Sequence, residues 1–244
     1  MDIQSPGSFQ NRWLAYFDLL GFKKLLDNYK DFPLFALEIY RDALECLDSS
    51  VDILNSLGRL IDYCWFSDTF IFWSENDSAK AFPVVEHVAR LFFERLIMHE
   101  IPVRGSITFG QFYANKDKSI YMGQALIDAY EYAEKQQWLN YVLTPMLCSD
   151  LPRINLDPGK RINYCPITTS FKTRIFPKEP KNFDSSETFA FTYSADSLMR
   201  RTIHQSLNNL SQQYRKEEKR ITDKYENSLS WLEFQKKRFP KIPN

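Results

Sequence analysis

Two carboxylates stand where a chain has little reason to put charge. Asp18 closes the apolar run Trp13-Leu14-Ala15-Tyr16-Phe17, just before Leu19-Leu20-Gly21-Phe22. Asp68 is the single acid of Tyr63-Cys64-Trp65-Phe66-Ser67-Asp68-Thr69-Phe70-Ile71-Phe72-Trp73, a run with no basic residue. Burying a carboxylate is costly unless a positive group meets it, and a divalent cation is one such group. Two acids about fifty positions apart, each alone in an apolar strand, suit a two-metal site for phosphoryl chemistry. There the metals neutralise phosphate charge, orient the reacting oxygen and lower its pKa. The turn Leu19-Leu20-Gly21, followed by a helix start, offers backbone N–H groups to phosphates, and Arg104 offers a cation. The same residues have plainer readings. An Asp at a strand end caps or forms turns, and an Arg makes surface ion pairs.

Periodicity supplies the elements that must position these groups. Residues 12–18 read as a strand. Gly21 turns the chain, and Phe22-Lys23-Lys24-Leu25-Leu26 opens a helix. Pro33 restarts helix, with Leu34, Leu37, Tyr40, Leu44 and Leu47 on one face. Residues 60–66 and 69–74 read as a hairpin whose very short turn carries Ser67 and Asp68. Glu75-Asn76-Asp77-Ser78 can cap the next helix, whose stripe is Val84, Val88, Leu91, Phe92 and Leu96. Residues 102–113 form a long strand. Its Gly105 and Gly110 mark a bulge or a close backbone approach. A turn at Asn115-Lys116-Asp117-Lys118, a return strand at 120–122, a helix at 124–137 and a short strand at 141–143 follow. The helix should bury Leu126, Ile127, Tyr130 and Ala133. Residues 162–168 and 188–193 read as strands around a loop with Pro177 and Pro180. Residues 196–237 lack Gly and Pro, and their apolar positions predict one long helix or a helical pair with a charged middle at 215–224. The first 143 residues therefore give βααββαβ, an α/β fold of ferredoxin type with one central mixed sheet, and a C-terminal helical extension follows. Strand one beside the hairpin would bring Asp18 to Asp68.

Composition narrows the function classes. With 31 Lys and Arg against 31 Asp and Glu in 244 residues, the net charge is zero, so no general pull toward nucleic acid or anionic membrane is expected. The apolar runs stop short of the roughly 18 residues that suggest a membrane span. The first residues carry neither a basic nor an apolar signal region. Cys46, Cys64, Cys148 and Cys165 show no paired spacing and are expected to be reduced, which predicts a cytoplasmic protein. His87, His99 and His204 are scattered, so no zinc site is expected.

Asp18-Leu19-Leu20-Gly21-Phe22 resembles the D-[IV]-x-G-F motif of class III nucleotidyl cyclases, whose second metal aspartate stands at the tip of the next hairpin, as Asp68 does. Arg104-Gly105-Ser106-Ile107-Thr108-Phe109-Gly110 is similar to their R-x-G-I-x-x-G strand, and Gly123-Gln124-Ala125-Leu126-Ile127-Asp128-Ala129 to their G-x-x-V-N-x-A turn into a helix. The resemblance covers roughly residues 12–143. It implies that Asp18 and Asp68 bind two Mg²⁺ or Mn²⁺ ions, joined by the Leu19 carbonyl, and that Gly21 and Phe22 hold phosphates. It also implies a 3′-hydroxyl attacking the α-phosphate of a nucleoside triphosphate, with release of pyrophosphate, in a site between the two chains of a homodimer. On this basis residues 11–150 are a cyclase-like catalytic domain, 151–195 a strand and loop extension, and 196–238 the C-terminal helix or helical pair.

The chain also departs from that pattern. The purine-reading Lys and Asp are replaced by Cys64 and Ile120, and the transition-state Asn and Arg by Ile127 and Glu131. A one-residue slip offers Asp128, and Lys135 or a second chain's tail could supply the missing cation. Tyr63, Trp65 and Ser67 are candidate base contacts; their alternative is packing on the strand. Three readings follow. The first is a metal-dependent nucleotidyl cyclase, possible on a pyrimidine as in the antiphage branch of this fold. The second is a degenerate nucleotide-binding signalling module. The third is an interaction protein working through residues 196–237.

Overall fold

The first strand is buried on both faces, which is why it reads as continuous apolar sequence. It is β1, Gln10–Leu19, and from Trp13 to Leu19 every side chain is buried. The computed structural model describes residues 9–23, 27, 61–160, 163–193 and 197–238. The helices expected between residues 24 and 58, and most of the expected lead-in at 1–10, lie outside the described residues. Phe22 and Lys23 are helical.

The hairpin follows as β2 (Ile61–Phe66) and β3 (Thr69–Ser74). Then come α1 (Ala81–Met98), β4 (Val103–Asn115), β5 (Ile120–Met122), α2 (Gln124–Lys135) and β6 (Tyr141–Leu143). They match the expected order over this span. Among the described residues the sheet has eight strands, in the order β2-β3-β1-β4-β6-β8 (Phe189–Phe191)-β7 (Tyr164–Pro166), with β5 on β4. All pairs are antiparallel except β4 with β6, so the sheet is mixed. The last two strands are β7 (Tyr164–Pro166) and β8 (Phe189–Phe191). Two short helices were not anticipated, α3 (Pro145–Asp150) and α4 (Thr169–Ile175). The C-terminal segment is a helical pair, α5 (Ser197–Gln213) and α6 (Lys219–Arg238), which breaks in the charged stretch.

Strand alternation divides the core in two. Trp13, Ala15, Phe17 and Leu19 face α1 and meet Phe82, Phe92 and Phe93 in the larger cluster. Leu14 and Tyr16 join Ile71, Trp73 and Phe112 against α2. The expected stripe of α1 holds, with Val84, Val88, Phe92 and Leu96 buried. Its expected side-chain cap does not form: Lys80 occupies the cap position without such a bond, and the Ser78 carbonyl accepts from the Ala81 N–H.

The face of α2 is a correction. The buried set is Ala125, Ala129, Tyr132 and Ala133, whereas Ile127 and Tyr130 are 57% and 51% exposed. The first turn of the helix lies over Gly110 of β4, where an added Cβ would stand in ordinary van der Waals contact with the Ala125 Cβ at 3.6 Å. The small side chains of Ala125, Ala129 and Ala133 face the sheet, and Ile127 and Tyr130 lie on exposed flanks.

Gly105 marks a second close approach. A Cβ there would stand 2.4 Å from the Phe17 ring and 2.5 Å from the Tyr16 carbonyl oxygen. Gly105→Ala is therefore expected to cost at least about 2 kcal/mol through overpacking between β1 and β4. A fall in the urea midpoint would show it; an unchanged midpoint would contradict this packing.

Candidate active site

Asp18 lies one residue from the end of β1, on the sheet face that carries Leu14 and Tyr16. The register sets it opposite Thr69 on one side and Arg104 on the other. Arg104 Nε donates to Asp18 Oδ2 at 3.0 Å, and Nη2 lies at the same distance. The guanidinium also reaches the C-terminal end of α2. Nη1 donates to the carbonyls of Glu134 (2.7 Å) and Gln136 (3.3 Å), and Nη2 to Glu134 Oε1 (2.5 Å). Those carbonyls carry the negative end of the helix dipole, so a guanidinium suits the position. Arg104 thus forms an ion pair, as its plainer reading allowed, but a buried one.

Asp68 is brought alongside by the backbone. Its turn is two residues long, with Ser67 in the left-handed region at φ 56°. The Leu19 N–H donates to the Asp68 carbonyl at 2.9 Å, and the Leu20 N–H to the Pro102 carbonyl at 2.7 Å. The chain then turns through Gly21 at φ +67°, where an added Cβ would meet nothing within 4 Å. Glycine is needed there for its backbone, and the space beside it stays open.

Burial dominates the electrostatics of Asp18. Burial pushes the Asp18 carboxyl up to about 6; the Arg104 charge and hydrogen bond oppose this, while Glu134 and Asp68 add to it. Arg104 and, from α6 (Lys219–Arg238), Lys224 are cations whose charge reaches this group, and Asp18 and Asp68 remain two carboxylates of a donor set that a divalent ion fits. Among the described residues no three His, Cys, Asp or Glu side chains cluster as a metal cage. Two carboxylates nevertheless suit magnesium, which commonly binds through one or two carboxylates together with substrate phosphates and water.

The other expected residues are distributed differently. Tyr63 and Trp65 pack with the α1-side cluster, on the face opposite Asp18. Trp65 stacks on Phe70 at 4.5 Å, and its Nε1 donates to the Ser67 carbonyl at 2.6 Å. Cys64 packs with the α2-side cluster and so shares the Asp18 face; burial pushes its thiol up to about 11. Ser67 is exposed at the hairpin tip. Asp128 accepts from Gln124 at 2.8 Å. Lys135 pairs with Glu131 and donates to the Glu179 carbonyl at 3.1 Å. Neither is joined to the Asp18 group.

Two residues at the site escaped sequence reasoning, Glu134 and Lys224. Lys224 of α6 lines a 410 Å³ cavity together with Leu20 and Gly21. Its place in a charged run concealed it, because such runs are mostly solvated faces.

No family model and no curated protein matches this sequence. Among solved structures, the chain is similar to a bacterial light-regulated adenylyl cyclase at 9% identity, covering 60% of this chain and 81% of that one, with a TM-score of 0.43. A second structure of a bacterial light-regulated adenylyl cyclase matches at 8% identity over 82% of this chain and 57% of that one, with a TM-score of 0.45.

Asp18 sits at about 6 against its ordinary 3.8. Between those values the folded protein holds a proton that the unfolded chain has released. The stability this group contributes is therefore complete below about pH 4 and is lost as pH rises to about 6. Asp18→Asn removes the titration. Without divalent ions, the wild-type urea midpoint should fall between pH 4 and 7 relative to that of the variant. Parallel profiles would show that Asp18 does not titrate in this window.

Proposed function

We propose that the protein is a metal-dependent nucleotidyl cyclase, converting a nucleoside triphosphate into a 3′,5′-cyclic nucleotide and pyrophosphate. The observation that carries this reading is the junction of β1 with the hairpin turn. There the Leu19–Asp68 backbone bond brings two carboxylate-bearing residues together beside the open Gly21 turn. The resemblance of the four sequence motifs to class III cyclases supports it. Asp18 and Asp68 would hold Mg²⁺ or Mn²⁺, two per site in that family, and the Gly21–Phe22 N–H groups would face the phosphates. When bound, the metal neutralises phosphate charge and lowers the pKa of the attacking hydroxyl. Arg104 holds the Asp18 carboxylate in place, and as a cation beside the turn it also favours an anionic substrate. The replaced purine-reading positions, with Cys64 on the Asp18 face, support a base other than the usual purines, a pyrimidine among them. A homodimer with the site at its interface is part of the proposal. The exposed Ile127 and Tyr130 on α2 are apolar surface that a second copy would cover.

One observation favours a second reading. The Arg104 guanidinium is fully engaged, and Ile127 and Glu131 stand where the resemblance calls for an amide and a cation. On that reading the domain binds nucleotide without turnover and signals through its C-terminal helices.

The decisive assay offers each of the four triphosphates with Mn²⁺ and monitors cyclic product and pyrophosphate. At least one should turn over, and Asp18→Ala and Asp68→Ala should each lower the rate at least about 100-fold. Mg²⁺ should raise the thermal midpoint of the wild type and leave that of Asp18→Ala unchanged. Absence of product with all four triphosphates, from a protein shown to be dimeric, would overturn the cyclase reading. Mg²⁺-dependent nucleotide binding without turnover would establish the second.

A further inference from the structure

The last helix returns to the end of the first strand. Three buried or half-buried hydrogen bonds hold it there. The Leu139 N–H donates to Ser228 Oγ (2.7 Å), Asn227 Nδ2 to the Gln137 carbonyl (2.8 Å) and Trp231 Nε1 to the Phe191 carbonyl (2.8 Å). These bonds run between α6 and the segments around β6 and β8, so the helix has one seating on the sheet. The first turns of α6 are thereby placed over the Leu20-Gly21 turn, with a 410 Å³ cavity between them. Tyr214 and Tyr225, stacked at 5.1 Å with an interplanar angle of 8°, form a rigid wall. The charged lining is mixed, with Lys23 and Lys224 on one side of the account and Asp27 and Glu217 on the other.

Lys224 is the partly buried cation of this cavity. Its ammonium makes no hydrogen bond or ion pair among the described residues, although the residue is partly buried. Burial, with Arg104 and Arg220 nearby, pulls it down to about 8; Asp18 and Glu134 oppose this without restoring it. A lysine desolvated beside two guanidinium groups is unfavourable in the free protein and favourable once an anion arrives. The adjoining Gly21 turn leaves room for such a group, because a Cβ there would meet no atom within 4 Å.

We propose that this cavity is a polyphosphate subsite and that Lys224 is its binding cation, supplied by the chain's own C-terminal helix. The proposal rests on the nucleotide reading above and adds a residue to it. The lysine takes the place of a cation that the motif positions lack, and it makes docking of α6 a condition for tight substrate binding.

Calorimetric titration of the full chain with magnesium tripolyphosphate tests this. The wild type should bind, Lys224→Met roughly tenfold or more weakly, and Lys224→Arg within about threefold of the wild type. Lys219→Met, which alters an α6 lysine outside this cavity, should bind as the wild type does. Without ligand, Lys224→Met should melt at or above the wild-type temperature, since it removes a desolvated charge; a lysine with a structural ion pair would melt lower. Wild-type protein that does not bind tripolyphosphate, or Lys224→Met that binds it equally well, overturns the proposal. The two readings fail separately. Lys224-dependent tripolyphosphate binding without product from any triphosphate sinks the cyclase reading and upholds the subsite. Turnover with KM unchanged in Lys224→Met sinks the subsite and upholds the cyclase.

Discussion

The buried contact between Asp18 and Arg104 sets the geometry on which the site depends. It joins the centre of the sheet to the C-terminal end of α2 through one planar side chain whose donors are divided among a carboxylate, a second acid and two helix-end carbonyls. A lysine could not make this clamp, because it lacks the fixed fork of donors. The polar contacts continue from there. Gln136 Nε2 donates to the Gly105 carbonyl at 2.7 Å, Trp138 Nε1 donates to Gln136 Oε1 at 2.6 Å, and Ser106 Oγ donates to the Ala129 carbonyl at 2.7 Å. Buried groups linked in this way specify one position for α2, since any shift would leave several of them unpaired. The alanine face of the helix then allows the close approach that the contacts require.

The same contact explains the electrostatic character of the site. A guanidinium shared between Asp18 and Glu134 stabilises each less than a dedicated partner would, and Asp68 adds a further negative charge. The acids meet at this strand end, and three residues further along the chain the Gly21 turn leaves open space. Lys224 comes to that turn from the far end of the sequence. Acid for a cation and ammonium for an anion lie at the two sides of one strand end, which is the arrangement that a metal–polyphosphate complex calls for.

Much of this fold was legible locally. The strands around Asp18 and Asp68, the two-residue turn between β2 and β3, the long β4 with its return strand and the stripe of α1 all follow from period and turn chemistry, which are properties of neighbouring residues. The juxtaposition of the two acids was legible too, because a hairpin beside a lone buried strand has few places to go. The face of α2 was not. Ile127 and Tyr130 have the apolar character of a core face yet are exposed, and burial of Ala125 and Ala129 instead follows from how α2 lies on the sheet, which is a long-range property. Tyr63 and Trp65, the candidate base contacts, are turned by strand alternation to the other face, which leaves Cys64 on the side of Asp18.

Sequence alone therefore determined which groups are candidates for chemistry: two isolated carboxylates, a glycine turn and a β4 arginine, each marked by a residue type at odds with its surroundings. Tertiary structure decided what those groups meet. The cross-strand register gave Arg104 to Asp18, the end of α2 added Glu134, and the docking of α6 delivered Lys224 to the Gly21 turn. The physical reason is one of range. The cost of burying a charge is written in its immediate neighbours, whereas the partner that offsets the cost is chosen by packing between elements distant in the chain.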